Sequence, residues 1–337
     1  MKITLLTGTA GDIQGWGNME TTQALATALK NNDHHVDIFF VSSYEQLTQY
    51  LNEGDFDIIW SSLYHISNNE NSIHIPFNHK WVQEHLEAYN VPYIGPSAAS
   101  LKIMLNKHRT HTKLNNANIP VPKHIYIESL SELKAVEGQF IVKPCYGSNS
   151  TGINESSIVN TPEALHTQVA TLLEHYNQPV IIEEYLPGDE YTVLVLGNGY
   201  NRKCYSIINT IDSDNYIQYP VITSDLKYQR GLTYHKPVAD LKATAEQLAD
   251  QTATALGCRD HVRIDMRMDK DGQLKVIDVN GIPGMSPTLG SRSLAIQQLY
   301  HPQFDKHENY LQLVRHIVDS AIDRYDIKTK TSLQLIH

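Results

Sequence analysis

Long apolar runs are missing from this 337-residue sequence, and without about 20 consecutive apolar residues no helix of it is expected to span a membrane. Cysteine is scarce. Cys145, Cys204 and Cys258 are isolated, with neither paired metal-ligand spacing nor a disulfide framework, so they read as reduced thiols. Positive charge is also in deficit: 27 Lys and Arg stand against 37 Asp and Glu, for a formal net charge of -10. That balance argues against nonspecific nucleic-acid binding, which needs clustered cations to release counterions, and leaves room for an anionic small molecule where positive groups converge. The opening run Met1 to Gly8 is too short for a signal peptide and flows into a glycine-punctuated turn, so a cytoplasmic location is the default expectation. No internal repeat or low-complexity tract occurs.

What is present is the composition of a soluble globular chain, 41% hydrophobic and 19% charged, long enough for two or three domains. Short β-rich runs (Ile3 to Thr7, Val36 to Val41, Ile58 to Ser61) alternate with amphipathic stretches (Met19 to Lys30, Tyr44 to Leu51, Trp81 to Ala88). The alternation predicts a small parallel sheet covered by helices. The turn TGTAGDIQGWGN does not match the dinucleotide fingerprint G-x-G-x-x-G and reads as a substrate-side loop or a tight turn. From about Ser97 onward come helical segments ended by Pro120 and Pro122, strands at His124 to Ile127 and Phe140 to Pro144, and a helix capped near Thr161. A very apolar strand at Val180 to Ile182 follows, then mostly strands with one long helix, Leu241 to Leu256, and a last helix, His307 to Tyr325.

The stretch RIDMRMDKDGQLKVIDVNGIPGM, Arg263 to Met285, reads as a hairpin. With the turn at Asp269-Lys270-Asp271-Gly272 and Met268 opposite Gln273, Arg263 faces Asp278 and Asp265 faces Val276. One side then carries Arg263, Asp265, Asp278 and Asn280. The other carries Val262, Ile264, Met266, Met268, Ile277 and Val279 and supplies the packing. A slip of one residue would bury Asp278. The DKDG turn is no calcium loop, since Arg267 precedes it and a closing Glu is missing. Two carboxylates and an amide are hard oxygen ligands that suit Mg2+ or Mn2+, and a solvated polar face is the structural alternative.

Upstream, FIVKPCYGSNSTGI places Lys143 at a strand end before a loop of small residues. Such a loop folds backbone N–H groups over phosphates while the lysine supplies a point charge; the lysine precedes the glycines, so this is not a Walker A loop. In VIIEEYLPGDEYTVLVL, Glu183 and Glu184 end a strand, a short hinge follows, and Glu190 opens the next strand, an arrangement suited to a nucleoside. Seventeen histidines fit no zincin spacing and read as surface or core residues, except His235, which follows Lys227-Tyr228 on one predicted loop.

Taken in order, IVKP with its small-residue loop, EEYLPGDEYTV, Lys227-Tyr228, ALGCRDHVRIDM and VIDVNGIPGM resemble the ATP-grasp superfamily, and within it the D-alanine–D-alanine ligase branch, densely from about Ile94 to Met285. The resemblance implies mixed α/β and α+β architecture in three domains: an N-terminal parallel-sheet domain over residues 1–98, a central lid over 99–188 and a catalytic domain over 189–337. It implies a ligase that uses ATP and Mg2+ or Mn2+, with two metal ions, to phosphorylate a carboxylate that an amine then attacks. By motif, Lys107 and Lys143 match nucleotide-phosphate lysines, and Ser148, Asn149, Ser150 and Thr151 the phosphate lid. Glu183, Glu184 and Leu186 match the adenine hinge, Glu190 the ribose acid and Lys227 the γ-phosphate lysine. Asp265, Asp278 and Asn280 match the metal ligands, and Arg263 with the Gly284 N–H the groups that steady a tetrahedral intermediate. Tyr228 is expected to line the substrate cavity. Relatives of this kind are often homodimers.

The departures fall where substrates are chosen. The glutamate expected after the first glycines is missing from its register, leaving Asp12 or Glu20, and LYHISNNENSIHIPFNHKW carries Asn and His where acids and glycines belong. Asn149 replaces a small serine, Glu184 stands where lysine is commoner, and SPTLGSRS offers Ser286, Thr288 or Ser291 in place of a serine-leucine pair. The leading reading is therefore an ATP-dependent carboxylate–amine ligase acting on amino acids or close analogues. D-alanine–D-alanine ligase itself and a non-catalytic ATP-binding protein stand as alternatives, the latter disfavoured by the intact Arg263 and metal-ligand set.

Overall fold

The computed structural model describes residues 1–68, 79–147, 150–223, 226, 231–288 and 291–327. Strands β1 (Lys2–Thr7), β2 (His35–Phe40), β3 (Ile58–Ser61) and β4 (Tyr93–Ile94) form a parallel sheet in the order β2-β1-β3-β4. Successive side chains of a strand face opposite sides, and both sides here are covered, as crossover helices require. Ile3, Leu5, Ile58 and Trp60 pack with Leu25 and Leu29 of helix Met19–Asn31. Leu6 and Ile59 pack on the other side with Leu47 of helix Tyr44–Glu53 and with Val82 and Leu86 of helix Val82–Ala88. The loop after β1 touches the strand-end loop after β3 so closely that a Cβ on Gly15 would stand 1.9 Å from the Ser62 carbonyl oxygen, which only glycine permits.

Strands β5 (His124–Ile127), β6 (Phe140–Pro144), β7 (Ile158–Val159) and β8 (Val180–Glu184) form an antiparallel sheet in the order β5-β8-β6-β7. Val142, Val180 and Ile182 point to helix Pro162–Tyr176, meeting Leu165, Val169 and Leu172. The helix starts where the Thr161 side chain accepts from the Ala164 N–H with Pro162 at the first position. By alternation Ile141, Lys143 and Glu183 face the other side.

The last sheet has the order β11-β10-β9-β12-β13, built from β9 (Glu190–Leu196), β10 (Lys203–Ile211), β11 (Leu232–His235), β12 (His261–Met268) and β13 (Leu274–Asn280). Its dry face, with Tyr191, Val193, Val262, Ile264, Met266, Val276 and Val279, packs on helix Ala239–Leu256, which ends at Gly257 in the left-handed conformation. On the opposite face, Leu194, Leu196 and Ile207 are covered by helices Arg292–Tyr300 and Lys306–Tyr325. Among the described residues no helix is long and apolar enough to cross a membrane.

The hairpin of β12 and β13 differs from the register expected from the sequence, and the difference has two parts that cancel in facing. Asp269 N–H donates to Gln273 O, so the loop has three residues, and Met268 faces Leu274 rather than Gln273. That slip alone would turn Asp278 inward. A β-bulge then shifts the register again between Asp265 and Met266, so that Asp265 faces Asp278 and Arg263 faces Asn280. The four polar residues stay on one side, but not in the predicted pairs. Ile277, expected on the packing side, takes up the bulge and lines the cavity instead.

One buried ion pair ties the sheets together. Asp260, fully buried at the approach to β12, has φ 60°. Its carboxylate accepts from Gly95 N–H at 2.8 Å, Asn198 Nδ2 at 2.8 Å, and Arg324 through Nε at 3.1 Å and Nη2 at 2.6 Å. Arg324 Nη2 also donates to Tyr93 O at 2.8 Å. The final helix is thereby fastened to β4 and to the β9–β10 turn. Arg324→Ala leaves this charge buried without its countercharge, so unfolding in denaturant should show a loss of about 3–5 kcal/mol; a loss below about 1 kcal/mol contradicts this coupling.

Candidate active site

The central sheet and the wet side of the last sheet border a cleft between them. Its walls include Lys107, Lys143, Ser150, Thr151, Glu183, Glu184, Leu186, Glu190, Arg263, Asp265 and Asp278. Every one of these was expected at the site. Ser148, Asn149, Lys227 and Tyr228 lie outside the described residues, as does the whole of the 69–78 segment.

The cavity floor is a set of rows running across the strands. Thr192, Asp265 and Asp278 are consecutive partners on β9, β12 and β13, and Leu194, Arg263 and Asn280 form the next row. Thr192 Oγ1 donates to Asp265 Oδ1 at 2.8 Å, and Asn209 Nδ2 to Thr192 Oγ1 at 3.0 Å. Arg263 grips the same carboxylate, Nε to Oδ1 at 3.2 Å and Nη2 to Oδ2 at 3.1 Å, while Asn280 Nδ2 donates to Oδ2 at 3.3 Å. Burial by itself would raise the Asp265 carboxyl; Arg263 and then Arg292 outweigh it and bring it to about 2. Asp278 is freer, with Lys107 Nζ at 3.6 Å. Among the described residues no group of three His, Cys, Asp or Glu side chains is arranged to hold a metal. Two facing carboxylates beside an amide still suit a hard divalent cation of the kind that completes its shell with phosphate and water oxygens.

The other wall comes from the central sheet. Lys143 Nζ donates to Glu183 Oε2 at 2.7 Å, and His111 Nε2 meets Glu183 Oε1 at 3.0 Å. Burial pushes this carboxyl up, but Lys143 and His111 prevail and hold it well below the usual carboxylate range. Lys107 opens helix Lys107–Asn116, capped by Asn106, and its Nζ donates to Gly147 O at 3.0 Å at the start of the small-residue loop. Glu184, in a position commoner for lysine, accepts from Lys275 Nζ at 2.6 Å and Lys123 N–H at 3.0 Å, so that a lysine of β13 supplies the charge from across the cleft. Glu190 lies 3.6 Å from Arg267 and 3.9 Å from Arg292, too far for hydrogen bonds.

Several other expected positions fall elsewhere. Gly284 is not on the cavity wall; it lies in the loop after β13, where Ser291 Oγ donates to its carbonyl at 3.1 Å and the next N–H, of Met285, donates to Trp16 O at 2.8 Å. Ser291 thus caps helix Arg292–Tyr300, and Ser286 and Thr288 bond each other at 3.0 Å. Asp12 and Glu20 are exposed. The loop after β1 buries Gln14 instead, whose Oε1 accepts the N–H groups of Tyr64 and His65 at 2.9 and 3.0 Å. His235 is exposed at the end of β11. The thiols are buried or half-buried and pushed up, Cys145 to about 11 and Cys204 and Cys258 to about 12, so none is a nucleophile.

Sequence reasoning missed Arg292, His111 and Arg267. Arg292, 3% exposed, sits 3.5 Å from Asp265 at the first turn of a helix that was not foreseen. Leu294, Ala295, Ile296 and Leu299 of that helix do not gather on one face, since polar Arg292, Ser293 and Gln297 are buried with them. The available signal was Ser291, a capping residue three positions before Leu294.

The fold resembles solved D-alanine–D-alanine ligases. The Bacillus anthracis enzyme complexed with ATP aligns with a TM-score of 0.68 at 20% identity, covering 97% of this chain and 99% of that one. The VanG D-Ala:D-Ser ligase from Enterococcus faecalis aligns with a TM-score of 0.67 at 17% identity over 95% and 99%. In sequence, D-alanine–D-alanine ligase B of Chromobacterium violaceum is 29% identical over 225 residues, 64% of this chain and 70% of that protein. The D-alanine–D-alanine ligase of Halalkalibacterium halodurans is 25% identical over 298 residues, 86% and 91%. The family model described as D-ala D-ala ligase C-terminus matches residues 115–298, more than half of the chain, so the chain belongs to the D-alanine–D-alanine ligase family of ATP-grasp ligases.

Two buried histidines near the site are kept neutral. Burial and then His79 lower His65 to about 4; burial and then Arg263 lower His261 to about 3. A group whose folded value lies below its ordinary 6.5 takes up a proton on unfolding between the two. Stability should therefore decline as pH falls from about 6.5 toward about 4, by about 1.4 kcal/mol per unit per proton. The pair His65→Gln and His261→Asn should remove about two protons of uptake on unfolding; an unchanged pH slope contradicts the neutral burial.

Proposed function

We propose that the chain is an ATP-dependent carboxylate–amine ligase that joins amino acids or close analogues through an acyl phosphate, releasing ADP and phosphate. The supporting observation is the facing of Asp265 and Asp278 across one strand pair, with Arg263 beside them and two lysines on the opposite wall of the same cavity. Lys107 and Lys143 hold the nucleotide phosphates, with Ser150 and Thr151 closing over them. The Glu184 to Leu186 hinge takes the adenine, and Glu190, whose oxygens lack hydrogen-bond partners among the described residues, accepts the ribose hydroxyls. Asp265, Asp278 and Asn280 hold Mg2+ or Mn2+, two ions when fully loaded. A cation held by these residues would supply positive charge against the phosphates during phosphoryl transfer.

Arg263 has a second task once the site is loaded. Its guanidinium is held in place by Asp265 through Nε and Nη2, and would donate to an oxyanion formed in the cleft. The Gly284 N–H is proposed as its partner, with the loop after β13 anchored on Trp16 and Ser291. Preorganised donors of this kind spend no reorganisation energy during reaction.

A second reading, D-alanine–D-alanine ligation itself, is favoured by the names of the relatives. Against it stands the amide of Gln14, buried where the loop after β1 turns inward, with Asp12 and Glu20 left exposed. A neutral amide holds an ammonium group less strongly than a carboxylate does.

ADP release measured over a panel of D- and L-amino acids, alone and in pairs, decides between them. Release with several amino acids supports the broad reading, release with D-alanine only supports the narrow one, and no release with any overturns both. Asp278→Ala should lower turnover at least about 100-fold with an unchanged unfolding transition, and undiminished turnover removes the metal assignment. Lys143→Ala should weaken ATP binding about tenfold or more by calorimetry; unchanged affinity removes the phosphate assignment.

A further inference from the structure

Helix Lys107–Asn116 enters the nucleotide cavity with Lys107 and places His111 one turn later, behind the cavity wall. The start of that helix is fixed, because Asn106 forms a β-bridge with Tyr146 just after β6 and Lys107 N–H donates to Cys145 O at 3.1 Å. The His111 ring is fully buried. Nothing in the ring reaches the cavity, yet its Nε2 stands 3.0 Å from Glu183 Oε1, and the other oxygen of the same carboxylate takes Lys143 Nζ at 2.7 Å. Glu183 is 1% exposed, so each of its oxygens has one strong donor and no water to replace it.

We propose that His111 is a positioning residue of the nucleotide site: it holds Glu183, and through Glu183 it sets where the Lys143 ammonium meets the phosphates. The inference rests on the nucleotide reading of the cavity given above. A carboxylate only accepts, so His111 Nε2 carries the proton and donates. His111 Nδ1 has no hydrogen-bond partner among the described residues, so the contact with Glu183 is the one polar bond that fixes the ring. Lys143 and Glu183 form a buried ammonium–carboxylate pair at the wall, with His111 on the far oxygen of the carboxylate.

Two further imidazoles pack behind the His111 ring. His124 packs edge-on against it with centroids 5.2 Å apart. Because Pro122 O can only accept, His124 Nδ1 donates to it at 3.3 Å, and His124 Nε2 accepts from His108 Nδ1 at 3.1 Å. His108 in turn stacks on Tyr126 with centroids 4.6 Å apart. The three rings pack together behind the lysine, and a lysine long enough to swing among several rotamers is held in one.

Removing the donor leaves Glu183 Oε1 unpaired in an apolar interior. Glu183 then turns toward Lys143 as its one remaining partner and draws the ammonium off the cavity face. The effect falls on the nucleotide and not on the amino-acid substrate.

The test compares His111→Leu, which has no donor, with His111→Gln, whose amide N–H reaches a similar distance. For His111→Leu, KM for ATP should rise about tenfold, with KM for the amino-acid substrate within twofold of wild type, and His111→Gln should restore most of the loss. Combined with Lys143→Ala, His111→Leu should add nothing further, since its effect runs through that lysine. Where His111→Leu fails to fold, His111→Asn, whose amide stops short of Glu183, takes its place and should show the same rise. An unchanged KM for ATP in either folded variant, beside a raised one in Lys143→Ala, overturns the positioning role alone. An unchanged KM in Lys143→Ala overturns the nucleotide reading and this role with it.

Discussion

The chemistry of this chain depends on a β-bulge. A three-residue hairpin loop puts β13 out of step by one residue, and the irregularity opposite Asp265 and Met266 puts it back. Without the second shift, Asp278 and Asn280 would point toward the helix Ala239–Leu256, and Val279 would point into the cavity. Bulges bend a strand and sharpen its twist, and here the bulged residue, Ile277, lends an apolar patch to a polar wall. Everything assigned to the floor of the cavity follows from that one extra residue.

The charges around the floor are arranged so that each acid is held by an arginine or a lysine and none is buried alone. Asp265 is gripped by Arg263 and approached by Arg292, Glu183 is shared between Lys143 and His111, and Glu184 is matched by Lys275. Removing either member of such a pair exposes the desolvation cost of the other. The same low-dielectric setting strengthens any anion that replaces water in the cleft. A site of alternating signs can therefore be stable when empty and still receive a polyphosphate with cations.

Much of the outline was legible in the sequence, because long periodic segments state their own geometry. The alternation of β-rich runs with amphipathic stretches foretold the parallel first sheet, and Thr161-Pro162 marked a helix start that the structure keeps. Lys107, Lys143, Glu183, Glu184, Glu190, Arg263, Asp265 and Asp278 were readable because each falls in a recognisable motif. The hairpin pairing was not, since loop length and bulge both depend on packing across β9 that no local pattern encodes. Arg292 was hidden in a helix buried nearly all round, which erases amphipathic periodicity. His111 looked like one histidine among 17; its role is visible only when β8 brings Glu183 beside it.

The central claim is that Asp265 and Asp278 act together on one divalent cation at the phosphates of a bound nucleotide. Titration of Mn2+ into the protein with ADP, followed by electron paramagnetic resonance, tests it most directly. The account predicts that bound Mn2+ forms a ternary complex in the wild type and that Asp278→Asn loses at least one tightly held ion while still folded. Full Mn2+ occupancy in that variant would contradict it.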